Sequence, residues 1–258
     1  MKFSIITCTY NSEKFLKKNI ESVKKQNFKD FEHIFIDGFS QGGTINIIKN
    51  YQTEFPQRVK LFQVEPKGIS HAMNEGIKKS VGEYILHLHS DDSLYDREVL
   101  GDVNIFLADN VYDWIYGKIR VVEEAGVPIG PFPTRKLWQL GDTKLGKELL
   151  KFFNYIPHQG VFIKRDIFAK FGYFDESLKS SMDLDLWLKI QDKTKWIFFD
   201  RIISNYTLHK GSQSASIENV LVNKNNHAQV QNRYLHTWEK TIAPLINFFV
   251  HTNNRNLR

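Results

Sequence analysis

Gly82-Glu83-Tyr84-Ile85-Leu86-His87-Leu88-His89-Ser90-Asp91-Asp92 is the stretch that decides the fold. It reads as a strand, Glu83 to His89, running into an acidic turn. The same unit recurs upstream. Phe3 to Thr9 is a β run that ends at Tyr10-Asn11, and Phe31 to Ile36 ends at Asp37-Gly38. Val59 to Val64 is a further strand. Helical patterns lie between these runs, on Phe15, Leu16, Ile20 and Val23, on Ile45, Ile47, Ile48 and Tyr51, and on Ile69, Met73 and Ile77. Ser12 is placed to cap the first helix. Alternation of this kind predicts a mostly parallel α/β sheet with helices on both faces. Ligands of such sheets bind beyond the carboxyl ends of the strands. Thr9-Tyr10-Asn11, Asp37-Gly38 and Ser90-Asp91-Asp92 would converge there.

The second half is more elaborate. Trp114 to Val122 reads as a strand, Glu123 to Pro133 as a Gly/Pro-rich hairpin or loop, and Leu137 to Phe153 as partly helical. Gly160 to Lys164 is a short strand and Ile167 to Phe171 a short helix. Asp183 to Ile190 has one apolar face and reads as a helix. Trp196 to Phe199 and Ile202 to Leu208 are late strands, Glu218 onward is helical, and the tail from Asn253 is polar. A domain over residues 1–215 followed by a helical extension over 216–258 fits this order.

The chain has 258 residues, 41% hydrophobic and 25% charged, which is ordinary globular composition with ample length for a core. Cys8 is the single cysteine, so no internal disulfide forms. It lies in an apolar run without a partnering base. The N-terminus enters a strand at once, and no run reaches the ~18–20 apolar residues of a membrane span. A soluble, cytoplasmic protein is expected. The formal net charge of +6 suits a phosphate-bearing ligand, an anionic surface or a plain solvated surface. No nucleic-acid motif is present.

Several residues can carry chemistry, each with a plainer alternative. Asp91 and Asp92 can divide between a ribose hydroxyl and a divalent ion, or form an acidic turn. Asp37 can accept from a base or a ribose, or start a turn. Of Asp183 and Asp185, one is explained by helix capping and the other can be a general base. His87 and His89 share one strand face, and a polar patch near the site explains them better than zinc. His209 opens His209-Lys210-Gly211-Ser212, a loop that can close over a phosphate or approach a metal. The turn after the first strand, Thr9-Tyr10-Asn11-Ser12, has no glycine, so it is not a dinucleotide fingerprint, and no P-loop occurs. Phosphate would then need a metal.

These segments, in this order, resemble the family 2 glycosyltransferases of GT-A fold, of bacterial surface-polysaccharide type. Ser4 to Asn11 looks like the family's opening strand and T-Y-N turn. Phe35 to Thr44 is similar to its V-D-G-x-S-x-D-G-T segment, and Glu65 to Ile69 with Ala72-Met73-Asn74-Glu75-Gly76 to its E-P-D-K-G-I…A-M-N-K-G segment. Ser90-Asp91-Asp92 resembles the D-x-D-type metal motif. His158-Gln159, Gly172 to Glu176 and Met182 to Trp187 look like the acceptor-side segments, and His209 to Ser214 like the late glycine-serine loop. The resemblance covers residues 3 to 214. Gly42, His71 and a residue missing between Pro66 and Lys67 depart from the pattern, all on the nucleotide side.

The resemblance implies an inverting transferase. It would move a single sugar from a nucleotide diphosphate sugar, with UDP favoured, to a hydroxyl of a glycan or lipid-linked acceptor in capsule or O-antigen assembly. Thr9, Tyr10, Asp37, Asn74 and Asp91 would hold the nucleotide. Asp92, with Asp91, would hold Mn²⁺ or Mg²⁺, and Asp183 would be the base. His158 and Gln159 would flank the acceptor, and His71, Lys67 and His209 are further candidates. The basic, aromatic stretch Trp238 to Arg258 could rest on the inner membrane face or be a helix packed on the domain. The rival readings are an inactive binding module of the same fold, a nucleotidyltransferase, which would need a Gly/Arg/Lys-rich first loop, and a nucleic-acid binder suggested by charge alone.

Overall fold

The computed structural model describes residues 1–132, 139–209, 217–241 and 243. Strand and helix alternate at first: β1 (Phe3–Thr9), α1 (Glu13–Lys24), β2 (Phe31–Asp37), α2 (Thr44–Glu54), β3 (Val59–Gln63), α3 (Ile69–Lys79) and β4 (Tyr84–His87). The elaborated part follows: β5 (Ser93–Leu94), α4 (Val99–Ala108), β6 (Trp114–Glu123), β7 (Pro128–Phe132), α5 (Lys144–Phe152), β8 (Val161–Lys164), α6 (Arg165–Phe171), α7 (Met182–Ile190), β9 (Trp196–Leu208) and α8 (Ile217–Tyr234).

One sheet collects the strands in the order β3-β2-β1-β4-β8-β6-β9-β5, with β7 paired to β6. The first-half strands are parallel, and the helices between them supply the crossovers that parallel neighbours need. β8 then joins β4 and β6 antiparallel, β9 runs parallel to β6, and β5 antiparallel to β9. The sheet is therefore mixed, and its parallel part is the first half.

The period of two along β1 sorts its side chains between two cores. Phe3 and Ile5 pack with α4 residues such as Val99, Leu100 and Val103. Ile6 packs on the opposite side with Met73 and Ile77 of α3. Gly82 is dictated by close approach, because a Cβ there would stand 2.5 Å from the Ser4 nitrogen and 2.6 Å from the Phe3 carbonyl carbon. On the far side, Trp114 of β6 stacks on Trp196 of β9 at 4.5 Å and on Trp187 of α7 at 5.1 Å. Aromatic pairs of this kind add about 0.5–1.5 kcal/mol beyond simple burial. They fix α7, and hence Asp183 at its start, to the second half of the sheet.

Three sequence expectations change. Ser12 precedes α1 but makes no side-chain cap; its Oγ instead accepts from the Tyr10 N–H at 3.2 Å. The two late strands are one strand, β9, whose register slips opposite Lys118. β5 and α4 lie in a stretch left without an element. Expectations for Lys210 to Ser214, for the 215/216 boundary and for the tail from Asn253 lie outside the described residues, as does most of Trp238 to Arg258. Among the described residues, no helix is long and apolar enough to cross a membrane.

Candidate active site

The acidic turn after β4 is held from both sides. The Thr7 hydroxyl donates to the Leu88 carbonyl at 2.8 Å. Asn19 of α1, fully buried, donates to the carbonyls of His89 (2.9 Å) and Asp92 (3.2 Å). So fixed, the turn sends its carboxylates into different environments at the end of β9. Asp92 is 1% exposed, and its Oδ1 accepts from the Thr207 N–H of β9 at 3.0 Å, with the Gln159 side chain beside it. Burial, reinforced by Asp91, holds its pKa well above the usual carboxylate range. Asp91 is partly open, and its Oδ2 lies 2.9 Å from Nε2 of His209. The His209 ring stacks on Phe15 of α1 at 4.6 Å.

The Asp91–His209 pair fits a divalent ion in its donor chemistry. A carboxylate oxygen with an imidazole nitrogen suits Mn²⁺, and a carboxylate alone suits Mg²⁺. Among the described residues, no group of three or more His, Cys, Asp or Glu gathers at metal-binding distance.

The ends of β1 and β2 make a shelf. Thr9 and Asp37 are register partners, and the Thr9 hydroxyl donates to Asp37 at 2.8 Å. Asp37 is fully buried and also accepts from the Ser40 N–H at 2.8 Å and from the Ser40 hydroxyl. Thr9 and Asp37 thus brace the loops from below. Tyr10, 63% exposed, lies over Gly38, where a Cβ would meet the Tyr10 ring at 3.2 Å. Asn11 and Phe39 both hold left-handed backbone, with φ of 49° and 61°. The Asn11 side chain accepts from the Gln41 N–H at 2.8 Å, which latches the two loops together. Strain of this kind persists only where surrounding bonds hold it.

Asp183 and Asp185 separate as cleanly as the acidic pair. Asp185 is buried and meets Arg233 at 2.8 Å and the Tyr234 hydroxyl at 3.2 Å, so it anchors α8. Asp183 follows Ser181, whose φ of 60° turns the chain into α7 without a side-chain cap. The Asn154 amide donates to Asp183 Oδ2 at 2.8 Å. Burial raises the Asp183 pKa, opposed by its hydrogen bonds.

Between the acidic turn and α7 lies a row of rings. His89 stacks on His158 at 5.6 Å, His158 on His87 at 5.4 Å, and Trp187 of α7 lies 6.2 Å from His158. Both the Asp91 and the Asp183 carboxylates act on the His89 ring, against burial, which lowers its pKa. Burial also lowers His87, to about 3, and His158, so these rings are neutral. Burial pushes the Cys8 thiol up to about 12, which excludes it as a nucleophile at neutral pH.

The other expected residues part company. Asn74, expected on the nucleotide, is a buried clamp. It donates to the Phe174 carbonyl and to Glu176 at 2.9 Å each, and accepts from the Phe174 N–H at 3.0 Å. His71 pairs with Glu176 at 3.0 Å. Lys67 is exposed on the turn before α3. Gln159, expected at the acceptor, turns its side chain to Asp92, and its carbonyl accepts from Ser204 at 2.9 Å. Asn19, Asn154 and Thr207 were not singled out in the sequence. Only Asn19 carries a signal there, a polar side chain within the apolar stripe of Leu16, Ile20 and Val23.

Known proteins share both sequence and fold with this chain. The family profile described as Glycosyl transferase family 2 matches residues 4–172. An uncharacterized glycosyltransferase of Rickettsia felis is 28% identical over 219 residues, 84% of this chain and 36% of its own. The poly(ribitol-phosphate) beta-N-acetylglucosaminyltransferase TarS of Staphylococcus aureus is 29% identical over 195 residues, 71% of this chain and 31% of its own. This chain therefore spans about a third of the length of these two curated relatives. Among solved structures, the mannosyltransferase PcManGT from Pyrobaculum calidifontis, in complex with GDP-Man and Mn²⁺, superposes with a TM-score of 0.69 at 16% identity. It covers 96% of this chain and 69% of that one, and shares the α/β fold with its central mixed sheet. With the family profile matched over most of its length, this chain belongs to the family 2 glycosyltransferases.

Proposed function

We propose that this protein is an inverting glycosyltransferase. It moves one sugar from a nucleoside diphosphate sugar, most suitably a UDP-sugar, to a hydroxyl of a glycan or lipid-linked acceptor in bacterial polysaccharide assembly. The observation that carries this reading is the row of rings His89, His158 and Trp187, which joins the strand end that bears Asp91 to α7, the helix that bears Asp183.

The nucleoside would lie on the shelf, its base against the exposed Tyr10 ring and the braced Gly38 backbone. Asp91 and His209 would hold Mn²⁺ or Mg²⁺ together with the diphosphate. When bound, the ion would neutralise charge growing on the leaving diphosphate. Asp92 would keep the turn in place through Thr207. Asp183 would take the proton from the acceptor hydroxyl as its oxygen bonds to the anomeric carbon. The bond from that carbon to the diphosphate oxygen breaks on the opposite face, which inverts the centre. A carboxylate whose pKa is raised by burial is a stronger base, and the Asn154 amide fixes its orientation. S. aureus TarS has been solved in complex with UDP-GlcNAc, which supports the UDP preference.

The test is Asp183→Asn. Transfer is expected to fall by about 10²–10⁴-fold, the usual share of a general base. Binding of UDP with Mn²⁺ is expected to survive. Transfer near the wild-type rate would remove Asp183 from the mechanism.

A further inference from the structure

A sugar being transferred must reach from its diphosphate to the base that activates its acceptor. On the reading above, those points are Asp91 and Asp183. What lies between them is the row of rings. His89 is two residues before Asp91 on the same strand end, and its ring stacks on His158 at 5.6 Å. His158 in turn approaches Trp187 at 6.2 Å, and Trp187 lies one helical turn after Asp183 on α7. The His89 carbonyl is tied to Asn19, so its backbone cannot drift from the acidic turn. His89 is also only partly buried, unlike His87 behind it, which is 3% exposed.

We propose that the ring of His89, backed by that of His158, forms the wall against which the transferred pyranose lies, and that His89 discriminates among sugars. This rests on the donor and base assignments made above. An aromatic ring face accepts the C–H face of a pyranose, and an imidazole nitrogen at its edge can bond a ring hydroxyl. The subsite would thus take a neutral sugar, with recognition of the nucleotide left to the Tyr10 shelf. His158, stacked between His87 and His89, serves as the backing that keeps His89 in place.

The experiment is isothermal titration of the full chain with UDP, UDP-N-acetylglucosamine and UDP-glucose in Mn²⁺, on the wild type, His89→Ala and His89→Phe. UDP affinity should stay the same in all three proteins. The advantage of the preferred UDP-sugar over UDP should fall about tenfold in His89→Ala, a change of the size expected from losing one good contact. It should fall less in His89→Phe, which keeps a ring. Equal loss for UDP and UDP-sugar would place His89 on the diphosphate and overturn the proposal, as would no change for either. Should the wild type bind none of the three in Mn²⁺, the UDP-sugar donor reading itself fails, and this arm reads that separately. If the variants do not fold, histidine ring NMR signals of the wild type decide. The His89 signals should move further with the UDP-sugar than with UDP, and identical movement refutes the subsite.

Discussion

Asp91 and Asp92 are neighbours in sequence and opposites in environment. Asp92 is buried against Thr207, while Asp91 opens toward His209. A sequence can place an acidic pair after a strand, but the direction of each side chain depends on β9, which is more than a hundred residues away. Our assignment gives the metal to Asp91 with His209, and structural duty to Asp92. Asp91→Asn is expected to raise the Mn²⁺ concentration needed for half-maximal UDP binding about tenfold or more. Asp92→Asn, whose amide oxygen can still accept from Thr207, should change it far less. A Mn²⁺ titration of UDP affinity checks both, and equal effects would contradict the division. The same reasoning applies to Asp183. A base works ionised, and burial raises this pKa, so activity should fall as pH drops through a value above the ordinary carboxylate ~4. Asn154→Ala removes a hydrogen bond that favours the ionised form. The acid limb of the rate profile should move to higher pH in that variant. An unmoved limb would mean that Asn154 does not tune the base.

At the scale of elements, the first half of the chain was legible because local pattern and tertiary role agree there. β1, β2 and the helices between the strands carry clean periods, and parallel order follows from the crossovers. α4 was missed because Val99, Leu100, Val103 and Leu107 are buried in a segment with few polar residues to mark a solvent face. β5 was missed because two residues, Ser93 and Leu94, become a strand only through β9. The antiparallel insertion of β8 between β4 and β6 is likewise a long-range choice that no short window records. At the candidate site, the strand-end positions of Thr9, Tyr10, Asp37 and the acidic pair are legible in the sequence. Asn154 and Thr207 were not, since each acts through one hydrogen bond to a distant partner. Two elements make sharp predictions. Gly82→Ala would drive a Cβ into the β1 backbone, so a loss of stability of about 1–3 kcal/mol is expected in chemical denaturation. Arg233→Ala would leave the buried Asp185 with weaker partners and loosen α8 from α7. Because Arg233 is one-third exposed, a cost of about 1–2 kcal/mol is expected, less than for a fully buried pair. An unchanged denaturation midpoint would show that α8 is held mainly by its other contacts, such as Gln231 to the Phe152 carbonyl.

The whole molecule joins two unlike halves through one sheet, and the candidate site lies where they meet. The shelf comes from β1 and β2, the acidic turn from β4, His209 from the end of β9, and Asp183 from α7. A nucleotide with its ion would touch elements from both halves, and binding to the folded state alone stabilises it by mass action. At a UDP concentration about 100 times its Kd in Mn²⁺, that stabilisation is about 2.7 kcal/mol. For a chain of this size, each kcal/mol raises the melting temperature by about 2–4 °C. A rise of roughly 5–10 °C is therefore expected, and it should vanish in EDTA, because Asp91 and the diphosphate would otherwise repel. The rise should persist in Asp183→Asn, to which the proposal gives the acceptor side, and shrink in Asp91→Asn. Stabilisation by UDP that is indifferent to EDTA and to Asp91 would mean that the nucleotide docks on the shelf alone. The two halves would then be joined by packing and not by the donor.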